Sequence, residues 1–179
     1  MAVIIMRGPS GGGKSTFTGK IMGRDVVDMY GQSTGLDHMF DDILSIDGRI
    51  SVSADKFFVR QLQDGGTEYH FERSMIGNAH AACLREFTDA VQSARNDSHV
   101  IVVDNTNTTV GEITPYAALA NAYGHDLHIV EIMCAWRTAQ ARNVHGVPQE
   151  TVLKQSKNID LSRNLIMQRY PSYHQFRTQ

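Results

Sequence analysis

"IIMRGPSGGGKST" (residues 4–16) runs an apolar strand into a glycine-rich turn that ends in Lys-Ser-Thr. Within it, GPSGGGKS (8–15) fits G-x-x-x-x-G-K-[ST] and stands where that pattern needs to stand, after an apolar run and before a helical one. Glycines let backbone amides close around phosphate oxygens without Cβ clashes, and those amides join the N-terminus of the next helix in an anion site. The turn predicts a phosphate cradle made by Gly8, Gly11, Gly12, Gly13, Lys14, Ser15 and Thr16. In such a cradle Lys14 reaches the β- and γ-phosphates, Ser15 ligates Mg²⁺ and Thr16 contacts the α-phosphate. Motors, switches, small-molecule kinases and nucleic-acid kinases all use this device, so the remainder of the chain has to separate them.

Outward from the turn, four stretches read as strands: AVIIM (2–6), RISVSA (49–54), HVIVVD (99–104) and HIVEIM (128–133). Helical patterns at roughly 14–23, 72–95 and 110–123 lie between them. The alternation predicts an α/β domain of the P-loop NTPase fold, with about four parallel strands flanked by helices. Phe71, Met75, Ala79, Ala82, Cys83, Phe87 and Val91 recur at spacings of three to four, a stripe that packing alone explains. From about residue 137 to 179 the chain reads as mostly helical, a C-terminal lid and basic region, with Pro148 placed to open a helix.

The chain has 179 residues and 41% apolar content, enough for one domain with a real core, so 1–179 is read as a single unit. The apolar start MAVIIM is interrupted by Arg7 and Gly8, and no later stretch approaches a membrane span. A soluble cytoplasmic protein with no membrane partner is expected. Cys83 and Cys134 lie on separate elements without metal-ligand spacing, which points to free thiols. The net charge of −2 sets up no global field toward nucleic acid, yet it hides a split: residues 134–179 carry +5 and residues 1–133 carry −7. Residues 25–48 hold six Asp and no Lys or Arg, an acidic insertion that lengthens the path from the first strand to the second.

Ligands of an open α/β sheet collect at the carboxyl ends of its strands. Two of the remaining strands end in carboxylates, Asp55 and Asp104. A phosphoryl acceptor needs a group to take its hydroxyl proton, and Asp55 suits that role. Asp104 serves either as a ligand of Mg²⁺-bound water or as a brace for Asn105 to Thr108, and either Asp could instead cap a helix. Charge on the transferred phosphoryl calls for a mobile cation, and Arg137 and Arg142 follow the fourth strand in AWRTAQARNVHGVP (135–148).

With these elements assembled, the sequence resembles the P-loop polynucleotide kinases and their relatives. The likeness runs from GPSGGGKST through SADKFF (53–58), VIVVDNTNT (100–108) and PYAALANAYGHDLHIVEI (115–132) to WRTAQARNVHGVP (136–148). It implies an ATP- and Mg²⁺-dependent kinase acting on a nucleic-acid hydroxyl, with a polynucleotide 5′-hydroxyl as the first expectation. It also implies Lys14 and Ser15 in the donor site, Asp55 as general base, Arg142 as the lid arginine, and Asp104 with Asn105 in the acceptor groove. The chain departs from that pattern at position 58. There the phage-type end-healing enzyme carries an arginine that grips the acceptor's phosphate, and here the residue is Phe58. Arg60 or a C-terminal arginine would then supply the cation, and Phe57 and Phe58 would offer a surface on which a base could stack. Other acceptors stay open: the hydroxymethyl group of a modified pyrimidine in DNA, or a sugar or nucleoside. A nucleotide switch that needs no Asp55 is a further alternative.

Overall fold

The computed structural model describes residues 1–23, 48–93 and 99–177. Nearly all of the acidic insertion at 25–48 lies outside these residues, and only Gly48 is described. The central sheet contains β1 (Ala2–Arg7), β2 (Gly48–Val52), β5 (His99–Val103), β6 (Asp126–Met133) and β7 (Tyr173–Arg177), in the spatial order β2-β5-β1-β6-β7. Every neighbouring pair is parallel. Parallel strands need crossovers, and α1 (Lys14–Ile21), α2 (Ile76–Ser93), α3 (Val110–Ala122), α4 (Trp136–Ala141) and α5 (Gln149–Arg169) alternate with them.

β1 is buried along its whole length, as expected of a strand covered on both faces. Val3 and Ile5 point to one side, where Ala79, Cys83, Phe87 and Val91 of α2, Ile113 and Ala117 of α3, and Ile166 of α5 complete the main core. Ile4 and Met6 point to the other, against Phe17 and Ile21 of α1. The stripe expected on the 72–95 pattern is therefore largely a core stripe. It begins later than its period suggested: residues 73–75 form a 3₁₀ turn, and Phe71 stands outside it, 55% exposed.

Further features depart from the sequence reading. The sheet takes a fifth strand, β7, which closes the edge beside β6 after the C-terminal helices. The run 49–54 gives up its strand at Val52, and Ala54–Phe58 coil into one 3₁₀ turn capped by Ser53, whose Oγ accepts from the Asp55 amide at 3.2 Å. A short antiparallel hairpin follows, β3 (Val59–Gln61) and β4 (Thr67–Tyr69). Among the described residues no helix is long and apolar enough to cross a membrane, and both cysteines are free thiols.

Candidate active site

β1, β5 and β2 reach the carboxyl edge of the sheet abreast. Ile5 pairs with Val103 and Val103 with Val52. The glycine turn leaves β1 at this level, Asp104 follows β5 by one residue and Asp55 follows β2 by three. The Asp104 amide donates to Val52 O at 2.9 Å, which ties the two carboxylate-bearing ends together.

In the turn, Gly12 N donates to Pro9 O at 2.9 Å and Gly8 N to Thr106 O at 3.0 Å. Gly13 takes φ 97° as it hands the chain to α1, a left-handed conformation that favours glycine. Lys14 is buried, with Nζ donating to Pro9 O at 2.9 Å. Burial lowers its proton affinity, while the negative charges of Asp104 and Asp55 raise it. Asp104 is the reciprocal case. Burial pushes its carboxyl up, and the Lys14 ammonium is the largest of the influences that bring it down. The lysine thus feels two carboxylates from two adjacent strand ends, the kind of mutual perturbation that clusters at functional sites. Ser15 and Thr16 are exposed at the mouth of the cradle.

The donor set fits a magnesium-bound nucleotide. Asp104 and the exposed Ser15 hydroxyl offer two hard oxygen donors at this edge of the sheet, and Mg²⁺ characteristically takes one or two protein oxygens with the rest from phosphate and water. No cluster of three or more His, Cys, Asp or Glu forms among the described residues, so any such ion would depend on the nucleotide's oxygens. On the β6 side of the turn a cleft of about 440 Å³ opens between Pro9, Cys134, Trp136, Arg163 and Arg177.

Asn105 is buried and its side chain is fully engaged. Oδ1 accepts from Ala54 N at 2.9 Å, and Nδ2 donates to Cys83 Sγ at 3.4 Å and Tyr116 OH at 3.5 Å. It braces the turn that carries Asp55. Asn105→Leu strands the Ala54 amide and is expected to cost about 1–3 kcal/mol in urea unfolding, with a loss of turnover as Asp55 loosens. Asn107 occupies the left-handed region at φ 43° and donates through Nδ2 to Met6 O at 2.7 Å, fastening the same loop beneath the cradle.

Phe58 is 6% exposed and packs on Phe71 (5.1 Å between ring centroids) and Tyr69 (6.1 Å), so its ring belongs to the core. The exposed aromatic beside Asp55 is Phe57, at 41%. Arg60 stands on β3, opposite Glu68 and open to solvent. Arg137 lies over the Trp136 ring, 4.8 Å from its centroid. Arg142 ends α4, its amide donating to Thr138 O at 3.1 Å, and its side chain is exposed.

The end of α4 rests on the glycine turn. A Cβ at Gly11 would come 2.1 Å from Ala139 O and 3.1 Å from Asn143 N, and Gly11 holds φ +76°. Gly11→Ala is therefore expected to push α4 and Arg142 off the cradle and to weaken binding of a fluorescent ATP analogue by at least about tenfold, the effect of some 1.4 kcal/mol of strain.

Sequence reasoning did not reach a buried charge network below the cradle. Arg7, fully buried, donates through Nη2 to Thr108 O (3.2 Å), Ile159 O (2.8 Å) and Ser162 Oγ (2.5 Å). Its Nε lies 3.7 Å from the Glu131 carboxylate, which also takes Arg163 Nη2 at 2.8 Å and the Tyr173 hydroxyl. A signal was present: Arg7 ends an otherwise apolar strand, and Glu131 stands between Val130 and Ile132 in the apolar part of another. Gln155 of α5 adds a strut, accepting from Ser10 N at 2.9 Å.

A family model described as AAA domain matches residues 3–160. Among solved structures, the chain is similar to the Mycobacterium tuberculosis APS kinase CysC in complex with AMPPNP and APS, at 14% identity and TM-score 0.49, covering 82% of this chain and 70% of that one. It is also similar to AvrRxo1-ORF1:AvrRxo1-ORF2 solved with sulphate ions, at 17% identity and TM-score 0.63, covering 99% of this chain. This chain spans 55% of the length of that one, and the likeness extends the shared fold over nearly all of the residues.

Proposed function

Because the chain belongs to the AAA domain family and carries its phosphate cradle on a P-loop fold, we propose that it is an ATP- and Mg²⁺-dependent kinase of a nucleic-acid hydroxyl, with a polynucleotide 5′-hydroxyl as the acceptor. The observation that supports this best is the placement of Asp55 and Asp104 just past two adjacent strand ends beside the glycine turn, with the Asp104 amide donating to Val52 O at 2.9 Å and Gly8 N to Thr106 O at 3.0 Å. A switch would need only the cradle and the metal-side carboxylate. The second carboxylate, on its own turn and exposed, is suited to an incoming alcohol.

In this reading Lys14 and the turn's amides hold the β- and γ-phosphates, and Ser15 with Asp104 would hold the ion. Bound Mg²⁺ supplies charge neutralisation across those phosphates. Asp55 takes the proton of the acceptor hydroxyl as its oxygen attacks the γ-phosphorus and the bond to the β-phosphate oxygen breaks. Arg142, with Arg137 as the alternative, covers charge on the transferred group. The exposed ring of Phe57 gives a base a surface to stack on, worth about 1–3 kcal/mol.

A second reading keeps the chemistry and moves the hydroxyl to a hydroxymethylated pyrimidine within DNA. One observation favours it: position 58 is a core phenylalanine, so the base turn offers no cation there for a terminal phosphate. Such an acceptor would have to be turned out of the stack at a cost of a few kcal/mol.

The deciding experiment is label transfer from γ-labelled ATP to 5′-hydroxyl oligonucleotides, hydroxymethylated duplex, nucleosides and sugars. Label on oligonucleotide ends supports the first reading, and label on internal modified bases supports the second. Label on nucleosides or sugars alone, or hydrolysis without transfer, overturns both.

A further inference from the structure

We propose that Tyr69 is a positioning residue that couples the seating of the segment after α4 to the orientation of the Asp55 carboxylate. The inference rests on Asp55 being the base of the proposed transfer. The hairpin makes the placement possible. β4 pairs Tyr69 with Val59, and His70 N donates to Phe58 O at 2.8 Å, so the chain doubles back over the turn that bears Asp55. Tyr69 OH then donates to Asp55 Oδ1 at 3.4 Å.

On its far side the Tyr69 ring meets the ring of His145, with centroids 4.9 Å apart. His145 belongs to the loop between α4 and α5, where its amide donates to Asn143 Oδ1 at 3.2 Å and Asn143 Nδ2 donates to Val147 O at 2.7 Å. Asn143 in turn abuts Gly11 of the phosphate cradle. A continuous line of contacts therefore runs from Gly11 through Asn143, His145 and Tyr69 to Asp55. It joins the place that holds the donor to the place that receives the acceptor, and it runs outside the sheet.

The chemistry suits positioning. A phenol donating to Oδ1 fixes the carboxylate's plane and leaves Oδ2 for the acceptor's proton. Desolvation and the negative charge of Asp55 push the Tyr69 hydroxyl up to about 12, so it stays a donor through the neutral range. At 3.4 Å the bond is long, as catalytic hydrogen bonds commonly are before substrates close the site.

The test is a double-mutant cycle on the full chain, with phosphoryl transfer from γ-labelled ATP to a 5′-hydroxyl oligonucleotide, alongside the ¹³Cγ resonance of Asp55 without substrate. Tyr69→Phe keeps the ring and removes the donor. It is expected to lower kcat about three- to tenfold, the worth of one hydrogen bond, with KM for ATP unchanged. In the Asp55→Asn background the same change is expected to have no further effect on kcat, because the basic carboxylate that it orients is gone. His145→Ala should reproduce the kcat loss and His145→Phe restore it, and the Asp55 resonance should move in Tyr69→Phe and His145→Ala. A Tyr69→Phe loss that persists undiminished beside Asp55→Asn overturns the coupling and leaves the base in place. Wild-type turnover in Asp55→Asn overturns the base assignment and the coupling with it. If the oligonucleotide takes no label, the resonance decides: an unmoved Asp55 signal in Tyr69→Phe overturns the proposal.

Discussion

Asp55→Asn is expected to leave ATP binding intact and to slow phosphoryl transfer by about 10²–10⁴-fold, the usual contribution of a positioned proton acceptor. The amide keeps the carboxylate's shape and can still accept from Tyr69, so the turn should hold. What is lost is a lone pair basic enough to take the alcohol's proton. One negative charge near Lys14 is also lost, but Asp104 is the larger of the two influences on that ammonium and remains. Binding is measured by titrating a fluorescent ATP analogue, and transfer by single-turnover label incorporation. A parallel fall in both would mean that Asp55 serves the cradle, and unchanged transfer would remove it from the chemistry.

Glu131→Gln is the second large effect, and it falls on stability. Arg7 and Glu131 are 0% and 1% exposed, and the carboxylate is the counter-charge for Arg7 and Arg163 together. Taking it away leaves the buried Arg7 guanidinium without its counter-charge, beside a second guanidinium, that of Arg163, which is 26% exposed. Removing one partner of a buried pair costs about 3–5 kcal/mol. In a domain of this size each kcal/mol lowers Tm by about 2–4 °C, so calorimetry should find a drop of roughly 6–20 °C. Arg7 directly precedes Gly8, and the expected loss therefore reaches nucleotide affinity too. A variant as stable as the wild type would show that Asp160, which pairs with Arg163 at 2.7 Å, and Tyr173 suffice.

These two expectations differ in how far the sequence foretold them. The glycine turn and the strands that carry it were legible because a parallel sheet buried on both faces writes itself as continuous apolar runs, as in Val100 to Val103. Asp104 was legible as the residue that ends such a run. Asp55 was legible as a residue but not as a conformation. Ser53 can cap its own backbone, and that local bond ends β2 before the aspartate. The hairpin strands, three residues each and mostly exposed, carry no apolar alternation to detect, and β7 alternates only weakly between half-buried and exposed positions. Phe58 looked like a candidate platform because a sequence cannot say which of two adjacent phenylalanines faces inward. The hairpin decides, folding Tyr69 and Phe71 over Phe58 and leaving Phe57 outside. Arg7, Glu131 and Tyr173 have meaning only as a group, and no local pattern reports a meeting of three distant segments.

That meeting also governs how the molecule can come into being. Arg7 and Tyr173 are 166 positions apart, yet the buried network beneath the glycine turn joins both. Contacts this distant make folding slow, since a large loop must close before any of its enthalpy is returned. During synthesis the most apolar hexapeptide of the chain would emerge early and wait, edges bare, for flanking strands translated much later. A growing polypeptide could therefore hold a recognisable phosphate turn long before it could hold a phosphate.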